Sequence, residues 1–153
     1  MIATNDKTIA VLNDLIEINN DRVTGYEKAA EEAKNIDVDL QGIFHKMADE
    51  SRRCKAELAQ EVINLGGEAS TDSTNLGKIY RAWMDVKATF TGKDRHAILS
   101  SCEYGEDAAQ KAYKEALGSD AEIDTDTRQL IVKQQETLKI SHDLIKKYRD
   151  INK

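Results

Sequence analysis

Between residues 9 and 33 the chain places Ile9, Leu12, Ile16, Asn19, Val23, Tyr26, Ala30 and Ala33 at spacings of three and four. That recurrence is one face of an α-helix. Its pattern runs for roughly 30 residues, or about 45 Å at the helical rise of 1.5 Å per residue. A stripe of that length needs helical partners of similar length to cover it, so the rest of the chain reads as three more helices. The 153 residues include no proline, the one obligatory helix breaker. Ala, Glu, Lys, Leu and Gln, all strong helix formers, are plentiful.

The first helix is expected over about residues 5–35, capped by Asn5 or Asp6. The second is expected over 38–65. Asp37 or Asp39 would cap it, its stripe is Leu40, Ile43, Met47, Cys54, Leu58, Val62 and Leu65, and Gly66–Gly67 stops it. A turn of a few residues makes these two helices antiparallel neighbours. About 28 residues then pass before the next long helix, far more than the usual bundle connection. Within them, residues 76–90 (LGKIYRAWMDVKATF) carry Ile79, Tyr80, Trp83, Val86 and Phe90 on one side. They read as a short crossover helix, seated on the bundle by Tyr80 and Trp83. The third long helix is expected over 94–117, with Ile98, Cys102, Gly105, Ala109, Ala112, Tyr113 and Ala116 inward. The fourth is expected over 124–151, with Leu130, Ile131, Gln134, Leu138, Ser141, Ile145 and Tyr148 inward. The whole chain reads as a single all-α domain.

A net charge of −6 argues against nucleic acid, which asks for a basic stripe. No apolar run approaches the roughly 20 residues of a membrane span. The polar N-terminus lacks the layout of a signal peptide, so the expected location is the cytoplasm. Cys54 and Cys102 have neither disulfide-framework nor zinc spacing and read as small buried apolar residues.

A faint duplication runs through the chain. Asn19 and Tyr26 are seven apart in the first helix, as Glu106 and Tyr113 are in the third. The spacing of Met47, Ser51, Cys54 and Leu58 recurs as Gln134, Leu138, Ser141 and Ile145. Residues 12–33, 79–87 (IYRAWMDVK) and 103–116 (EYGEDAAQKAYKEA), with the His142-Asp143 pair, together resemble the ferritin-like superfamily. More closely, they look like a bacterial family of four-helix-bundle proteins of unassigned role. The resemblance implies an antiparallel four-helix bundle with a long crossover between helices two and three. In catalytic members it also implies two metal ions held by two Glu residues and two Glu-x-x-His pairs.

No Glu-x-x-His is present: Gly42, Lys93 and Lys139 precede His45, His96 and His142 by three. The nearest equivalents, Glu50-x-x-Arg53 and Glu136-x-x-Lys139, put a cation where a ligand would stand. Asn19 replaces the Glu of the resemblance's Glu–six residues–Tyr pattern. Glu50 and Glu106 alone have reasonable placement for a metal, with Glu103 flanking. Asn19 and Gln134 read as a buried amide network setting helix register, Tyr26 and Tyr113 as core packing and hydrogen bonding. Glu50 and Glu106 read as boundary carboxylates paired with Arg53 or lysines, His142 as a boundary hydrogen-bonder, His45 and His96 as exposed. No activated nucleophile and no phosphate loop appears.

Two functional expectations follow. The first is a non-catalytic bundle with a stress-associated, structural or interaction role and no cofactor. The second is a degenerate carboxylate site for iron or manganese, with an oxidative or metal-storing role. It would rest on Glu50 and Glu106, helped by Glu103 or His142. Long antiparallel helices often self-associate, so a homo-oligomer is a partner expectation; no residue specifies a protein partner.

Overall fold

The computed structural model describes residues 2–34, 37–70, 95–119 and 123–151. Among them lie four α-helices and no strand: α1 (Ile2–Ala33), α2 (Val38–Asn64), α3 (Arg95–Leu117) and α4 (Thr125–Ile151). The short helix expected over 76–90, with Tyr80 and Trp83, falls outside the described residues.

The ends of the helices have identifiable chemical causes, with one correction. Helix α1 begins at Ile2, so neither Asn5 nor Asp6 caps it. A capping residue acts only where the backbone before it leaves the helix, and nothing in Ile2, Ala3 or Thr4 breaks one. Asp37, by contrast, has extended backbone, and its carboxylate accepts from the Leu40 amide at 3.1 Å. Asp124 does the same for α4, accepting from the Thr127 amide at 2.7 Å. At the end of α2, Gly66 takes φ +86°, a conformation costly for any residue with a Cβ.

Helix α1 packs against α2 and α3, and α4 packs against α3 and, less closely, α2. Each of these neighbours is antiparallel. The C-terminal half of α1 meets the start of α2, and Asn19 and Arg22 of α1 meet Tyr113 and Glu106 of α3, in reverse order. Helices α2 and α3 therefore run in the same direction on a diagonal, and the chain between them joins opposite ends of the molecule. Its first residues already turn that way. Asn13 of α1 accepts from the Ser70 amide at 2.8 Å and donates to the Glu68 carbonyl at 3.0 Å. Its side-chain amide thus stands in for a strand partner. Gly67 lies so close to α1 that a Cβ there would come within 2.8 Å of the Ile9 side chain.

The interior divides into two apolar clusters. One gathers Tyr26, Ala30, Ala33, Leu40, Phe44, Met47, Leu99, Cys102 and Ile145. The other gathers Leu12, Ile16, Cys54, Leu58, Val62, Tyr113, Ile131 and Leu138. Full burial of each large aliphatic contributes about 1.5–3 kcal/mol. Between the clusters, midway along every helix, the core turns polar.

A buried ionic waist between the helices

The polar layer starts with a residue that the stripe on α1 skips. Arg22 is three after Asn19 and four before Tyr26, so it shares their face, and its side chain is 0% exposed. Val23, expected to point inward, is only half-buried. The Arg22 guanidinium crosses to α3 and grips Glu106 with two parallel bonds, Nε–Oε1 at 2.7 Å and Nη2–Oε2 at 2.9 Å. Glu106 is itself 1% exposed. A third bond runs from Nη1 to the Ser51 hydroxyl of α2 at 2.5 Å. Glu50, at the rim, lies 3.8 Å from Nη2 and accepts from Ser141 of α4 at 2.7 Å. The Tyr26 ring faces the guanidinium at 5.2 Å, a cation–π distance. All four helices thus meet around one positive charge.

One turn away lies a neutral counterpart. Asn19 Nδ2 donates to the Leu15 carbonyl and to the Tyr113 hydroxyl, each at 2.9 Å. Tyr113 then donates to Gln134 Oε1 at 2.7 Å, and Gln134 Nε2 reaches the Cys54 carbonyl at 3.1 Å and Glu57 at 3.0 Å. This is the amide network that the sequence suggests, built through a tyrosine. The faint duplication becomes a crossed pairing in space: Asn19 of α1 meets Tyr113 of α3, while Glu106 of α3 stands beside Tyr26 of α1. In one half the acceptor is a carboxylate and a guanidinium balances it. In the other a neutral amide stands in the place of the carboxylate, donates to the tyrosine hydroxyl and needs no balance.

Electrostatics follow from burial and this single pair. Burial would push the Arg22 guanidinium down, but the Glu106 carboxylate, with smaller help from Tyr26 and Glu50, more than offsets it and holds the charge on. Burial, then the Glu106 charge, pushes the Tyr26 phenol and the Cys102 thiol well up. Burial raises the Tyr113 phenol and lifts the Cys54 thiol to about 11. Both cysteines are free, buried and protonated, hence poor nucleophiles.

Several sequence expectations change here. Glu106 is a core residue bound to Arg22, not a boundary residue paired with Arg53 or a lysine. Glu50 does lie at the boundary, but it faces Arg22 and Ser141 rather than Arg53 or a lysine. Glu103 pairs with Arg149 at the edge of α3 and α4. His142 does lie at a boundary, bonded to Asp107 and Asp143, and His45 is exposed. The side chain of His96 lies outside the described residues. Phe44, Ser51 and Leu99 are buried although no expected stripe includes them.

The residues do not fit a di-metal centre of the kind the ferritin-like resemblance implies. Such a centre needs carboxylates with free lone pairs around the cations. Both Glu106 oxygens are engaged by Arg22, and a guanidinium beside Glu50 offers no lone pair and repels a metal ion. Among the described residues, no three or more His, Cys, Asp or Glu side chains are grouped so as to hold a metal.

Residues 7–119 match a family described as a domain of unknown function, DUF2383. The chain belongs to the DUF2383 family. No curated protein matches it. The DUF2383 match takes in Asn19, Arg22, Glu50, Ser51, Glu106 and Tyr113, and so holds the whole ionic core of the waist. The Gln134 and Ser141 contacts from α4 lie beyond it. Among the described residues no helix is long and apolar enough to cross a membrane.

Proposed function

We propose that this protein is a ferritin-like bundle whose central cation is part of its own chain. Its role is structural or an interaction role rather than catalytic, in the cytoplasm. The bidentate Arg22–Glu106 pair carries this reading. It supplies one permanent positive charge at mid-bundle, where each helix brings a polar side chain, and it uses up the carboxylate best placed to bind metal. A permanent guanidinium cannot cycle between oxidation states, take up or release a metal, or act as a general acid near neutrality.

The test is metal analysis of untagged protein purified with iron, manganese or zinc resupplied, beside Glu106→Gln. The expected result is no stoichiometric metal in either protein and a less stable Glu106→Gln bundle. Tight, stoichiometric metal in the wild type that Glu106→Gln abolishes would overturn the reading. It would establish the carboxylate metal site, with an oxidative or storage role, in its place.

A further inference from the structure

The seam between α3 and α4 is fastened at residues of α4 that recur at a seven-residue interval. Arg149 pairs with Glu103, and His142 Nε2 lies 2.5 Å from Asp107. The Gln135 carbonyl accepts from Gln110, and Arg128 donates to the Leu117 carbonyl. Three of these rungs are insensitive to pH near neutrality. The His142 rung differs in kind. Its Nδ1 lies 3.1 Å from Asp143 Oδ1, so both ring nitrogens face carboxylate oxygens. An ionised carboxylate only accepts, and a neutral imidazole has one N–H to give. Both bonds together require the imidazolium.

The position of this rung matters. Asp107 follows Glu106, and His142 follows Ser141, which holds Glu50. The inward members of these two pairs belong to the ionic waist; the outward members close the seam over it at the same level. We propose that His142 is a proton-operated clasp on the α3–α4 seam, controlling access of water to the Arg22–Glu106 pair. Protonated, it ties Asp107 to α4. Deprotonated, it can donate to Asp107 or to Asp143 but not to both, and the bond across the seam loses its charge assistance, so the seam loosens there.

The charges around His142 favour the closed form at neutrality. Asp107 and Glu106 face it from α3, and Asp143 from α4, with Lys139 bound to Asp143 at 3.0 Å. Behind Ser141 lies Glu50 of α2, and behind Glu106 lies Arg22 of α1. Burial pushes the imidazole down, but the bonds to Asp143 and Asp107 more than offset this and hold it above its ordinary value. The clasp is therefore fully closed below the ordinary histidine value and opens as pH rises through the raised one.

Cys102, one turn before Glu106 on the same face of α3, is a built-in reporter. The experiment compares maleimide labelling of Cys102 in full-length wild type, His142→Gln and Asp107→Asn, with peptide mapping to separate it from Cys54. Taking variant-to-wild-type ratios at each pH removes the intrinsic pH dependence of the thiol. Both variants are expected to label about tenfold faster at about pH 6, with the ratio falling toward one by about pH 8.5. A ratio equal at both pH values would overturn the proposal. So would direct NMR titration of His142 at or below its ordinary value, a readout needing no variant.

Discussion

Arg22 and Glu106 decide more of this interior than any apolar residue. A buried ion pair contributes little net stability compared with apolar residues of the same shape, yet losing one partner strands the other. Arg22→Met alone, or Glu106→Leu alone, is therefore expected to cost about 3–5 kcal/mol. The double variant should recover most of that loss, as a urea-denaturation double-mutant cycle would show. Arg22→Lys should not rescue, because an ammonium cannot make the parallel pair of bonds to Glu106 while also reaching Ser51. Asn19→Glu should destabilise for the opposite reason, adding a further carboxylate to the buried layer with no second arginine to match it. The sequence marks Asn19, Tyr26, Glu106 and Tyr113 by their heptad spacing. It does not mark Arg22, because a charged residue beside an apolar stripe is ordinarily solvated. Its register, three after a buried amide and four before a buried tyrosine, is the one local sign of its burial. Partners 84 residues apart are invisible to any local reading.

At the scale of the helices, the devices are local and so are their expected effects. Asp37→Ala removes the only side-chain cap described for α2 and should cost about 1 kcal/mol, read from thermal or urea unfolding. Gly67→Ala should cost about 1–3 kcal/mol, since Ile9 must move to admit the new methyl group. Ile9→Ala in the same chain should relieve part of that cost; strictly additive losses would show that the close approach to α1 is unimportant. Periodicity makes the four long helices readable, because a hydrophobic period near 3.6 sustained over more than about 20 residues is specific to an amphipathic helix. Helix starts are less readable. Asp37 and Asp124 cap and Asn5 and Asp6 do not, a distinction that rests on the backbone before each residue. Phe44 and Leu99 escape the stripes for a related reason: a core-facing helix buries a band wider than one line of residues.

For the molecule as a whole, the buried phenols and thiols set an upper pH limit. Tyr26, Tyr113, Cys54 and Cys102 all ionise less readily in the folded chain than in the unfolded one. A group whose folded value is raised contributes stability that is intact below its unfolded value and lost as pH rises toward the folded one. For Cys54 that window runs from 9.0 to about 11. Denaturation midpoints should hold up to about pH 9 and fall above it. Cys54→Ala should make the fall shallower; an identical slope in the variant would remove Cys54 from the account.

The ionic waist also has a consequence for descent. Because each of Arg22 and Glu106 is harmful without the other, a lineage can lose the pair cheaply only by changing both. The two positions should therefore behave as one inherited character. Relatives that carry an apolar or amide residue at the position of Glu106 should also lack the arginine at the position of Arg22. Intermediates holding one without the other should be scarce. An alignment of family members deep enough to count all four combinations would decide the matter.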